Sequence, residues 1–161
     1  MRFEALIELH HDELYHYLRR MTAGSTCDAA DLTQETWLRA WGAFDRLRPN
    51  SNARAWLYRI ATNCALSALR SGRREIPLQE DQDVPDEART PLEQLEHGEE
   101  LALVLEKVGA LPPRQRAAVL LRYGQELRYS ELACVMRCSE ANARANVSLG
   151  VRRLRRELEV T

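Results

Sequence analysis

Residues 31–63, DLTQETWLRAWGAFDRLRPNSNARAWLYRIATN, decide the fold, because helical periodicity runs on both sides of a single polar break. Before the break, Trp37, Ala40, Trp41 and Phe44 share one stripe, while Asp31, Gln34, Glu35 and Leu38 share another. Arg48, Pro49, Asn50, Ser51 and Asn52 form the break: proline stops a helix, and Asn and Ser side chains bond their own backbone. After it, Trp56, Leu57, Ile60, Ala61 and Cys64 point one way and Arg59, Thr62, Asn63 and Leu66 another. The stretch therefore predicts two amphipathic helices and a short loop. With a third helix, two or three tryptophans would fill the core.

That third helix precedes the stretch. Phe3, Ile7, His10, Leu14, Tyr17, Leu18 and Met21 recur at helical spacing and Gly24 follows them. Ser25 with Asp28 resembles a capping box that opens the next helix. Downstream, residues 76–89 show no periodicity and hold Pro77, Pro85 and five acids, which predicts an extended acidic linker. Thr90-Pro91-Leu92-Glu93 reads as a helix start, with Leu92, Leu95, Leu101, Leu105 and Val108 directed to a second core. Pro112 and Pro113 separate it from a helix ending at Gly124. Two further helices, Ser130 to Met136 and Glu140 to Leu158, flank the turn Arg137-Cys138-Ser139, with Ser139 as N-cap. This is helix-turn-helix spacing, although other helical hairpins fit it too. The expected fold is all-α: two small helical domains, residues 1–75 and 91–161, joined by a flexible acidic linker at 76–90.

The chain's 161 residues carry a net charge of −1, which hides an uneven distribution. Residues 1–75 hold 11 basic and 9 acidic side chains, residues 76–100 hold 1 and 9, and residues 101–161 hold 11 and 6. Two mildly basic lobes thus flank an acidic segment. No apolar run approaches membrane-spanning length and the N-terminus lacks a signal-peptide core, so a cytoplasmic location is expected. Cys27, Cys64, Cys134 and Cys138 form no CxxC pair and read as reduced core residues; His10, His11 and His16 lack metal-pair spacing and read as surface residues. No nucleophile, carboxylate pair or metal set suggests an enzyme, and no cofactor is expected.

The polar loop and the helix after it carry the functional signal. Arginine supplies charge for phosphate, Trp56 and Tyr58 supply stacking surface, and Asn63 offers a paired donor and acceptor for a base edge. That set suits a single or melting DNA strand better than an intact duplex.

Asp31-Leu-Thr-Gln-Glu-Thr-Trp-Leu-Arg-Ala-Trp41 followed by Ala55-Trp-Leu-Tyr-Arg-Ile-Ala-Thr-Asn63 resembles region 2 of the extracytoplasmic-function sigma factors of the sigma-70 family. Ala110-Leu-Pro-Pro-Arg-Gln-Arg-Ala-Ala-Val-Leu-Leu-Arg-Tyr123 and Tyr129-Ser-Glu-Leu-Ala-Cys-Val-Met-Arg-Cys-Ser-Glu140 resemble region 4. The resemblance implies a promoter-specificity subunit whose partners are bacterial RNA polymerase core and promoter DNA, with an anti-sigma factor as a further partner common in the family. It implies that Asp31, Gln34, Glu35, Leu38 and Arg39 dock on polymerase. The loop holding Arg48, Asn50, Ser51 and Asn52 would receive a base flipped from the minus-10 element. Asn63 would act in strand opening, flanked by Arg54, Trp56 and Arg59.

The second lobe departs from the family pattern. Its recognition helix has only Arg144 before Arg152, so Arg144 is the expected guanine or phosphate contact and Asn142 and Asn146 the expected adenine readers, with Ser139, Ser148 and Arg152 completing the minus-35 surface. Fewer cations mean weaker, less salt-dependent binding. Arg137 sits where the family often has glycine, and Gly150 interrupts the long helix. Two alternatives stay open: a conventional helix-turn-helix regulator, and a sigma-like decoy without full promoter binding.

Overall fold

The computed structural model describes residues 2–74 and 98–159. Among these residues every regular element is helical: α1 (Phe3–Met21), α2 (Ala29–Ala43), α3 (Ala53–Arg74), α4 (Gly98–Gly109), α5 (Pro113–Val119), α6 (Tyr129–Met136) and α7 (Glu140–Glu159). Two helical lobes result, α1–α3 and α4–α7. The expected helix start at Thr90 and the acidic linker lie outside the described residues.

In the first lobe α1 buries Phe3, Leu6, Leu14, Tyr17, Leu18 and Met21 along one face. Gly24 follows at φ +77, a backbone state glycine adopts without a Cβ penalty. The cap of α2 is not Ser25, whose hydroxyl turns back to the Thr22 carbonyl. Asp28 does that work, accepting from the Ala30 N–H at 2.8 Å.

The core is organised by tyrosines, not tryptophans. Tyr17 and Tyr58 meet edge to face with centroids 5.2 Å apart, and the buried Tyr17 and Thr62 hydroxyls lie 2.7 Å apart. Helix α2 can approach this pair because Thr33 and Thr36 face inward, their hydroxyls satisfied by the Ala29 and Leu32 carbonyls at 2.7 Å. Trp41, expected inside, is instead 61% exposed, with its ring against that of Phe3. Trp37 is half-buried between Phe3 and His11. Of the four cysteines Cys64 is buried in the core and Cys27 and Cys138 are half-buried against it, while Cys134 is exposed, so the core reading fails for Cys134. His10 and His11 bond Glu13 and Trp37.

In the second lobe α5 runs into a π-turn over Leu120–Gly124, and α6 ends on Arg137 at φ 54, ψ 48. The Arg137 N–H bonds the Cys134 carbonyl and the Cys138 N–H bonds that of Ala133, a closure that demands a left-handed residue. Ser139 caps α7 as expected, its hydroxyl accepting from the Asn142 N–H at 3.0 Å. Gly150, which costs helix propensity, proves to be a packing requirement: a Cβ there would lie 2.7 Å from Val119 Cγ2. The glycine lets α7 close on α5.

The lobes pack together with α3 across α6. Their buried side chains form one continuous cluster that includes Tyr17 and Tyr58 from the first and Leu121, Leu127 and Leu132 from the second. A smaller cluster, with Phe3, Leu6, Ala40 and Leu57, closes the far end of the first lobe. Arg116, on α5, is buried and donates to the Met21 carbonyl of α1 and the Leu111 carbonyl.

Candidate nucleic-acid interface

Three surfaces hold the residues singled out in the sequence. The first is the outer stripe of α2. Asp31, Gln34, Leu38 and Arg39 are exposed and Glu35 is half-buried, with Arg39 held by Glu35 at 2.7 Å. Leu38 is 65% exposed, and Trp41 extends the same stripe by one turn. Charge and amide therefore surround an uncovered apolar strip. Sequence reasoning missed Trp41 because its spacing fits either stripe.

The second surface is the loop and the outer face of α3. Arg48, Asn50 and Ser51 are exposed, with the Ser51 hydroxyl bonded to the Arg48 carbonyl. Asn52 is committed at both ends of its amide. Its Oδ1 accepts from the Ala55 N–H at 3.0 Å, and its Nδ2 donates to Glu131 Oε2, on α6, at 2.6 Å. Arg54 is committed more fully: its Nε donates to Glu13 at 3.0 Å, and its terminal nitrogens donate to the Gln125 carbonyl and side-chain oxygen. Trp56, Arg59 and Asn63 border a shared groove. Tyr58, expected to present its ring to a strand, is fully buried. Its hydroxyl donates to Gln125 Oε1 at 2.8 Å, and burial, helped by the charge of Glu13, pushes its ionisation far above the ordinary tyrosine range.

Glu131 is the acidic partner at this junction. The Arg128 backbone N–H, aided by the Arg128 guanidinium and the Asn52 amide, outweighs partial burial and holds its carboxyl below the ordinary range. Neither Gln125 nor Glu131 was singled out from the sequence. Each is an unremarkable polar residue until the lobes are placed together.

The third surface is α7. Asn142, Arg144, Ser148 and Arg152 are exposed and Asn146 is half-buried. Arg144 packs over the Tyr129 ring at 4.2 Å and reaches Glu140 at 3.3 Å, while Asn146 donates to the Asn142 carbonyl. The Ser139 hydroxyl accepts from the Asn142 N–H in the cap and keeps its own O–H to donate. Among the described residues no group of three His, Cys, Asp or Glu side chains is placed to hold a metal, and no helix is long and apolar enough to cross a membrane.

Comparison with known proteins agrees with this geometry. The family models Sigma-70 region 2 and Sigma-70, region 4 match residues 6–75 and 101–154. The chain is 35% identical over 157 residues to the ECF RNA polymerase sigma factor SigE of Mycolicibacterium smegmatis, covering 95% of this chain and 60% of that one. It is 36% identical to SigG of Mycobacterium tuberculosis, covering 81% of this chain and 42% of the other. The chain thus spans between about two fifths and three fifths of the length of these two relatives. To the ECF RNA polymerase sigma-E factor of Salmonella typhimurium it is 33% identical, with 74% and 68% covered. A solved sigma factor, RpoE bound to the anti-sigma factor NepR from Bartonella quintana, shares the fold with a TM-score of 0.78 over 98% of this chain and 97% of that one, at 23% identity. CnrH in complex with the cytosolic domain of CnrY matches with a TM-score of 0.70, 25% identity, and 98% and 88% coverage. With both region models matched in order and relatives above 30% identity, the chain belongs to the extracytoplasmic-function group of the sigma-70 family.

Proposed function

We propose that this protein is a promoter-specificity subunit that directs bacterial RNA polymerase core to particular promoters, and that it works in the cytoplasm without catalytic activity of its own. The observation that carries the reading is the uncovered stripe of α2. Leu38 and Trp41 leave apolar surface in water beside Asp31, Gln34 and Arg39, the pattern of a docking face with an apolar centre and a charged rim. In this reading residues 1–75 bind polymerase and the minus-10 strand, residues 91–161 bind upstream duplex, and residues 76–90 tether them.

The chemistry of the first lobe suits an opened strand. Extracting a base costs a few kcal/mol of stacking, which Trp56 can return as a stacking wall while Arg59 neutralises phosphate and Asn63 bonds a base edge. Arg48, Asn50 and Ser51 lie exposed on the adjoining loop. Asn52 and Arg54 are engaged by the second lobe, so promoter reading through them requires the lobes to part. On α7, Asn142, Arg144, Asn146, Ser148 and Arg152 form a surface with only two cations, which supports a weakly held minus-35 contact. An anti-sigma factor, which RpoE of Bartonella quintana binds, is a further partner this reading includes.

Run-off transcription with purified core polymerase tests the proposal. Specific transcripts that start only when this protein is added are the expected result. Duplex binding at a palindrome without core polymerase marks a conventional regulator instead, and inhibition of another sigma factor marks a decoy.

A further inference from the structure

One groove is built by both lobes. It lies between α2, α3 and the turn that leads into α7, has a volume of about 300 Å³, and is bordered by Arg39, Trp56, Arg59, Asn63 and Arg137. Three guanidinium-bearing residues converge there and no carboxylate lines it. Arg39 has a partner in Glu35, at 2.7 Å along its own helix. Arg59 is half-buried, and its Nε is out of contact with water and has no acceptor. Arg137 makes no ion pair among the described residues. A concave surface lined by one sign of charge focuses potential and draws a counter-ion.

The backbone of Arg137 is the independent observation. Its left-handed conformation is imposed by the closure of α6, and glycine would adopt that conformation freely. An arginine held there against its own preference is a strained residue at the rim of a cleft. The groove is where that side chain borders the other lobe.

We infer that this groove is a site for a phosphate-bearing nucleotide, with phosphate between Arg39, Arg59 and Arg137 and the base against Trp56. Planar guanidinium forks match phosphate oxygens two at a time, an indole face stacks on any base, and the Asn63 amide can bond the base edge. Because Arg137 belongs to the second lobe and the other four residues to the first, the groove is complete only while the lobes are packed. A ligand that binds only the packed form stabilises it. Under the proposed function, promoter DNA uses Arg59 and Asn63 after the lobes part, so occupancy of the groove opposes promoter opening. The competition rests on that reading; the site does not.

The same phosphate-and-base chemistry can come from a free nucleotide or from a nucleic-acid strand, and titration calorimetry separates the two. The full chain is titrated with guanosine diphosphate and, separately, with a short single strand of deoxynucleotides. One-to-one binding is expected, and Arg137→Gly should weaken it by about tenfold, the loss of one charge-assisted bond. Because glycine fits the left-handed turn, that variant should melt no lower than wild type, which removes misfolding as an explanation. Binding of the diphosphate assigns the source to free nucleotide; binding of the strand alone, lost in Arg137→Gly, assigns it to nucleic acid. Failure of both probes, or equal affinity in Arg137→Gly, overturns the site. Calorimetry needs no polymerase, so its outcome is independent of run-off transcription.

Discussion

Arg54 holds Gln125 by its backbone carbonyl and its side-chain oxygen at once, while Tyr58 donates to that same side-chain oxygen from beneath. A residue of α3 is thereby bound to the segment that leads into the helix-turn-helix. Gln125→Ala removes the shared acceptor and leaves Glu13 as the remaining partner of the Tyr58 hydroxyl. The loss should be about 1 kcal/mol, the usual net contribution of a hydrogen bond. Urea unfolding measures it, and small-angle scattering should show the folded variant expanded relative to wild type; an unchanged radius of gyration would argue that this contact does not hold the lobes.

Acid should loosen the same junction. The carboxyl of Glu131 titrates below its unfolded value, so its contribution is fully present above that value and is lost as pH falls through the lowered folded one. The window begins below the ordinary glutamate value of about 4.3. Glu131→Gln cannot titrate, so its stability should fall less steeply than that of wild type across this window. Parallel pH profiles of the two urea midpoints would sink the idea.

Gly150→Ala should destabilise the second lobe. The added methyl meets Val119 Cγ2 at 2.7 Å, and overpacking of this kind costs roughly 1–3 kcal/mol. Val119→Ala made alongside it should restore part of the loss, because it removes the opposing methyl. A double-mutant cycle on the melting midpoint reads this directly, and additive losses would show that the two groups do not meet.

Asn63 is exposed, so truncating it should leave the fold intact. Under the proposed function, Asn63→Ala binds core polymerase as wild type does but forms fewer open complexes, which permanganate footprinting of unpaired thymines reports. Leu38→Ala with Trp41→Ala should do the reverse, weakening core binding first. Wild-type open-complex yield from Asn63→Ala would remove that residue from strand opening.

Much of this was legible in the chain itself. The helices follow from apolar spacing, the stop at Gly24 from its need for positive φ, and the cap at Ser139 from its hydroxyl ahead of a helical run. The misreadings share one cause, which is that spacing fixes a face but not its neighbour. Trp41 has a spacing that fits either stripe of α2, and it lies in water beside Leu38. Tyr58 looks like a strand-facing aromatic until Gln125, 67 residues away, is seen to receive its hydroxyl. Gly150 reads as a propensity cost until Val119 is placed against it. Arg137 alone carried its signal openly, as a bulky residue at a turn that wants glycine.

The buried arginine of α5 gives the lobe contact an unexpected reporter. Met21 is the last residue of α1, and its carbonyl, which has no acceptor role left within its own helix, receives Arg116 from 95 residues away. Helix α1 is thus capped in trans, by a cation at the end where a helix favours one. Separation of the lobes would strip that cap and let the final turn of α1 fray. Amide exchange around Met21 would then keep time with the opening of the molecule.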